Sequence, residues 1–154
     1  MTEAQRIIDM LRKSIEGEAW HGSAVFELLE GVSAEQAAAR PFENAHTIWE
    51  ITDHIAVWAE VTLSRFRGHG PEQVPPDQDW PSMTDLPDET EWRAIKERVR
   101  RAHEAWYAEL ESMDDTTLHR PRLEKYPSAA FVLYGVMQHN AYHGGQIALL
   151  KKAL

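Results

Sequence analysis

The sequence predicts an all-α fold, an antiparallel four-helix bundle, and three observations carry that prediction. Apolar residues recur at three- and four-residue steps over four long stretches. No stretch shows the strict two-residue alternation of a half-buried strand. Two longer connections join the four helices, one of them a long proline-rich loop between helices 2 and 3. At 154 residues the chain has the length of one ordinary domain, so a single domain over 1–154 is expected, with a core large enough to stand without cross-links.

The first stretch runs from Thr2 to about Glu30 and places Ile7, Ile8, Leu11, Ile15, Val25, Leu28 and Leu29 on one side. It reads as one long amphipathic helix, with Gly17 and Gly22 each weakening the middle by about 1 kcal/mol relative to alanine and marking where a bend or break would fall. Gly31 ends it, and Ser33-Ala34-Glu35-Gln36 has the form of a capping box opening a short helical turn through Ala39. Arg40 to His46 is a connector. His46 or Thr47, the latter with Glu50 three residues on as in a capping box, caps a second helix to about Arg67 whose stripe is Ile48, Ile51, Ile55, Trp58 and Val61.

From Gly68 to Pro87 five prolines exclude helix over most of the segment, and it reads as a long loop; Trp80 gives it something to pack with and marks it as a candidate lid. Asp88-Glu89-Thr90-Glu91 loads negative charge onto the start of a third helix, which continues to about Met113. Asp114 to Leu118 is a turn with room for one helical winding. Arg120-Pro121-Arg122 and Tyr126-Pro127 bracket the link into a fourth helix from about Ser128 to Lys152.

Composition narrows the function classes. The chain has no cysteine, so thiolate ligands, disulfides and a cysteine nucleophile are all absent, and any metal must be held by His, Asp or Glu. Sixteen basic against 25 acidic residues give a net charge of −9 with no basic cluster to follow a phosphate backbone, which argues against nucleic acid as a partner. The N-terminal residues lack the apolar run of a targeting peptide, and no later stretch is uncharged for the length of a bilayer, so a cytoplasmic protein with no membrane partner is expected.

The residues that promise chemistry are three histidines. His139 and His143 stand one helical turn apart on the stripe that carries Val132, Val136, Ile147 and Leu150, so they face inward. His54 falls on the buried stripe of the second helix, between Ile51 and Trp58. Bundles build metal and ligand sites from side chains on facing helices. Three imidazoles around one divalent first-row ion, with positions left open, have the composition of a catalytic rather than a closed structural site.

Around these three, His21 beside Trp20 is placed to reach the same end of the core and to hydrogen-bond there or act as a further ligand. Gln146 lies on the same face as His143 and is placed to orient it or to satisfy a neighbouring backbone group. Glu50, one turn before His54, is placed as an acceptor or base, with capping as its simpler role. Asp53 points about a quarter turn away from His54 and is discounted as a ligand. His69, His103 and His119 have no partner at ligand spacing and are expected in solvent. Gly144 and Gly145 inside the last helix indicate a close approach by a neighbouring backbone or a ligand, or a slight kink.

The runs His46-Thr47-Ile48-Trp49-Glu50-Ile51-Thr52-Asp53-His54-Ile55-Ala56-Val57-Trp58 and Gln138-His139-Asn140-Ala141-Tyr142-His143-Gly144-Gly145-Gln146-Ile147 together resemble the DinB/YfiT-like superfamily of metal-dependent proteins. The resemblance covers nearly the whole chain, and its most specific part is the terminal histidine pair with the following glycine and glutamine. It implies a four-helix bundle, often a homodimer, in which a histidine triad corresponding to His54, His139 and His143 binds nickel, zinc or iron. It also implies an enzyme acting on a small molecule, either by transferring a low-molecular-weight thiol to an electrophile or by hydrolysis. The opposing reading is a non-catalytic, stress-related bundle dimer that binds metal or ligand without turnover.

Overall fold

The structure is a computed structural model that describes residues 1–83, 88–121 and 123–154. The last four residues of the expected proline-rich loop, 84–87, and Arg122 in the link to the final helix lie outside the described residues. Among the described residues the chain is all-helical, with no strand. Its elements are α1 (Glu3–Ile15), α2 (Val25–Leu29), α3 (Ala34–Ala38), α4 (Ile48–Phe66), α5 (Pro76–Asp79), α6 (Glu89–Glu111), α7 (Asp115–Leu118) and α8 (Ala129–Lys151).

The bundle is made by α1, α4, α6 and α8. Local chemistry sets where they begin: Thr2 and Thr47 close capping boxes with Gln5 and Glu50, Asp88 accepts from the N–H groups of Thr90 and Glu91, and Ser128 from that of Phe131. The capping reading of Thr47 with Glu50, and of Ser33 with Gln36 before α3, holds.

The single long helix expected over Thr2 to Glu30 is two helices. α1 stops at Ile15 because Gly17 takes φ +155°, Glu18 φ +63° and Gly22 φ +124°, conformations that no helix continues through. α2 then packs back onto α8, where buried Gly144 faces Leu28 and Val25 at ordinary van der Waals distance; the neighbour at this glycine is side chain, not backbone. The proline-rich segment also contains helix: Pro75 and Pro76 stand at the cap and first position of α5, where a missing N–H costs nothing.

Side-chain pairs give the helix directions. Arg98 in the first half of α6 reaches Asp53 and Glu60 of α4, and Arg67 just past the end of α4 reaches Glu109 near the end of α6, so these two neighbours run the same way. The long connection between them is what lets the chain return to the starting end. α8 runs against α4: His139 meets His54, and Arg65 near the end of α4 lines one cavity with Phe131 near the start of α8.

Two apolar clusters fill the bundle. One is built around Leu11, Phe66, Trp106, Leu110 and Leu133, the other around Trp49, Ile55, Trp92, Val99 and Ile147. Each such fully buried large side chain contributes about 1.5–3 kcal/mol. Between the clusters lies a polar layer to which all four long helices contribute: Ser14 from α1, His54 from α4, His103 from α6, and Asn140 and His143 from α8, all buried, with His139 at its edge.

Candidate metal centre

His54 is one turn after Glu50 on the inward face of α4, and His139 and His143 occupy successive turns of α8, so the antiparallel packing of these two helices sets three imidazoles against one another. One candidate ligand atom from each ring lies within 4.8 Å of the others. The Nε2 atoms of His54 and His139 are 3.2 Å apart, and the ring centroids of His139 and His143 are 4.4 Å apart.

Partners on the far sides of the rings fix which nitrogens point inward. His54 Nδ1–H donates to the backbone carbonyl of Asp79 at 2.7 Å, so its Nε2 carries the lone pair. His143 Nδ1–H donates to Gln146 Oε1 at 2.6 Å, again leaving Nε2 bare. An oxygen acceptor behind a histidine is the arrangement that orients metal ligands and raises their basicity. Nitrogens sharing one ion at about 2.0–2.1 Å stand about 2.8–3.4 Å apart for right-angled to tetrahedral geometry, so the 3.2 Å between His54 and His139 fits such an ion.

The electrostatics agree with neutral rings. Burial lowers the pKa of His139 to about 3, with the neighbouring His143 and His54 adding to the effect. Burial brings His143 down to about 4, against the opposing hydrogen bond from Gln146, and His54 is also lowered by burial. Neutral imidazole is the form that ligates.

α5 and the residue after it form the outer cover. Trp80 stacks on His54 with centroids 3.8 Å apart and planes 6° from parallel, and on its other face His46 stacks at 3.6 Å and 3°. Asp79 holds this cover to α4, since its carboxylate accepts from Trp58 Nε1 at 2.6 Å. The expected packing role of Trp80 therefore takes the form of a ring laid directly on a triad histidine.

The remaining expectations separate. Gln146 sits against His143 as anticipated. Glu50 is occupied elsewhere: its oxygens accept from the Thr47 N–H and from Arg40, and His46 is 3.5 Å away, so it serves capping and an ion pair rather than a triad ring. His21 is exposed in the break between α1 and α2, not inside a helix, and the glycine conformations that end α1 are the reason. Asp53 is spent on Arg98 at 2.6 Å. His103, expected in solvent, is 1 % exposed; its Nδ1–H donates to the Val99 carbonyl at 2.8 Å and its Nε2 accepts from Asn140 Nδ2 at 3.1 Å. The helical spacing of His103 with Val99 and Trp106 was the available signal. Asp79 and His46 were missed as site residues; the neighbouring Trp80 pointed to the segment of Asp79, and nothing tied His46 to the site, because its stack on Trp80 forms only in the fold.

A cavity of about 180 Å³ opens beside the triad, between α4 and α8, with His139 and Trp58 in its wall. No helix of the described residues is long and apolar enough to cross a membrane. No curated protein and no solved structure matches the chain. A family model does match, that of the DinB superfamily, over residues 19–147, which takes in both histidine-bearing helices and most of the bundle. By that match, this chain belongs to the DinB superfamily.

Proposed function

We propose that the chain is a divalent-metal-dependent enzyme acting on a small molecule, with His54, His139 and His143 as the ligands and transfer of a low-molecular-weight thiol to an electrophile as its reaction. In that reaction a sulfur–carbon bond forms, the S–H proton passes to water, and the leaving group departs with its bonding pair. A nickel, zinc or iron ion held by these three imidazoles would supply Lewis acidity, which favours the thiolate form of a thiol near neutral pH. The residues supply the rest: Asp79 and Gln146 hold the imidazoles with their Nε2 atoms inward, while Trp80 shields His54 from water.

The observation that carries an enzymatic over a purely structural reading is the cavity with a triad histidine in its wall, since a closed structural site has no such approach. Hydrolysis of an ester or amide uses the same ligands and is the alternative outcome of the assay. Elemental analysis of the purified protein should find close to one metal per chain. Small thiols mixed with electrophiles should then conjugate only when the metal is present. Wild-type protein that is recovered metal-free and refuses added nickel and zinc would overturn the proposal.

We also propose a cytoplasmic homodimer. Supporting a second copy, Phe131, Tyr134, Tyr142 and Leu149 stand exposed along one side of α8 at steps of three, eight and seven residues, an uncharged stripe in a chain of net charge −9. Sedimentation should show the wild type as a dimer and a Tyr142→Glu, Leu149→Glu double variant as a monomer; a monomeric wild type would refute this.

A further inference from the structure

We propose that the cavity beside the triad selects small acids: molecules with an apolar body that lies between Trp58 and Phe131 and a carboxylate that reaches Arg65. The inference rests on the proposed function only in taking the histidine cluster as the reacting end.

Three features carry it. The first is alignment. His54, Trp58 and Arg65 occur along one side of α4, with 11 residues or about 16 Å of helix between first and last, and Trp58 and Arg65 line the cavity together with His139. The cavity therefore has the histidines at one end and a cation toward the other. The second is the state of that cation. Arg40, Arg67 and Arg98 each face a carboxylate, but among the described residues none pairs with Arg65. Its guanidinium is held by neutral acceptors instead: Nε donates to the Pro71 carbonyl at 2.7 Å and Nη2 to the Glu72 carbonyl at 3.1 Å, with its carbon 5.6 Å from the centroid of the Trp58 ring. These contacts fix its direction without neutralising it, which leaves Nη1 and the full positive charge for an incoming anion.

The third is the space between. The wall opposite Trp58 is formed by Val132, Gly135 and Phe131, and a Cβ on Gly135 would meet nothing within 4 Å. This glycine leaves room for ligand rather than for a packed neighbour. A volume of about 180 Å³ suits a metabolite-sized molecule and is below the range of drug-sized pockets.

The test compares 3-phenylpropionate with 3-phenylpropanamide, equal in shape and different in charge, by calorimetric titration of nickel-loaded and metal-stripped protein. The acid should bind at least about tenfold more tightly than the amide, as expected for a charge-assisted pair in a partly enclosed site. Arg65→Gln should bring the two within about twofold of each other, and Arg65→Lys should restore much of the preference by restoring the charge. Gly135→Leu should abolish binding of both probes while metal content stays at the wild-type level, because leucine fills the cavity and is a better helix former than glycine.

Equal affinity for acid and amide in the wild type, or no binding of either, overturns the inference. So does a preference that survives Arg65→Gln, which would place the carboxylate on the metal, or an equal loss of both probes in Arg65→Gln, which would make Arg65 only an anchor for the loop. Failure of metal binding with acid selectivity intact would sink the proposed function and leave this inference standing; metal uptake without acid selectivity would do the reverse.

Discussion

The polar layer across the middle of the bundle has two halves, and they treat buried histidine in opposite ways. On the α1–α6 side, His103 is closed off: its two ring nitrogens meet the Val99 carbonyl and the Asn140 amide, and Asn140 continues to Ser14, whose hydroxyl donates to the Leu11 carbonyl. Every donor there faces an acceptor. On the α4 side, the Nδ1 atoms of His54 and His143 are similarly tied, but the Nε2 atoms of His54 and His139 face each other at 3.2 Å, acceptor toward acceptor unless His139 carries its proton there. The adjacent residues His139 and Asn140 belong to different halves. Burial alone therefore does not mark a ligand; a nitrogen left pointing at other nitrogens does.

The sharpest way to break this comparison is to remove one ring from each half. His139→Ala or His143→Ala should eliminate stoichiometric metal binding, read by elemental analysis after nickel or zinc loading, whereas His103→Leu should leave it within about twofold of wild type. Full metal retention in His139→Ala would end the distinction between the halves. A finer cut targets the support behind one ring. Gln146→Leu removes the acceptor on His143 Nδ1 and should weaken metal affinity by about 10- to 100-fold with little change in folding. An unchanged affinity would mean that the backbone alone orients His143.

The same contrast explains how much could be seen in the chain before it folded. The four long helices were legible because their stripes and caps are local signals: Thr47 with Glu50, Asp88, and Ser128 mark real starts. His139 and His143 were legible as a pair for the same reason, being one turn apart on one helix. The break after Ile15 was signalled by Gly17, yet its extent was not, because Glu18 at positive φ is a conformation that nothing in its residue type announces. His103 was misplaced because its partners come from distant elements: Asn140 lies 37 residues from His103 in sequence, and Ser14 lies 126 residues from Asn140. Asp79 acts on His54 mainly through its backbone carbonyl, which every residue has, so its side chain could not advertise the role.

The closed half also predicts a stability effect smaller than loss of the metal site. His103→Leu keeps the volume but leaves the Asn140 amide with Ser14 as its remaining partner, and should cost about 1–2 kcal/mol by denaturant titration at neutral pH. Its pH dependence is more telling. Burial holds the pKa of His103 below the usual imidazole value, so the folded chain refuses a proton that the unfolded chain accepts below about pH 6.5. The stability owed to the neutral ring is therefore complete above that pH and declines as the pH falls toward the folded-state value, with a slope of at most about 1.4 kcal/mol per pH unit from this one group. His54, His139 and His143 are shifted the same way and add to the acid loss, so the wild-type curve cannot assign it. The difference between wild type and His103→Leu, both metal-stripped, isolates the single ring: the variant's stability should fall less steeply between pH 6.5 and 5. Parallel curves would show that His103 takes up a proton in the folded chain, and the half described as closed would then be open to water.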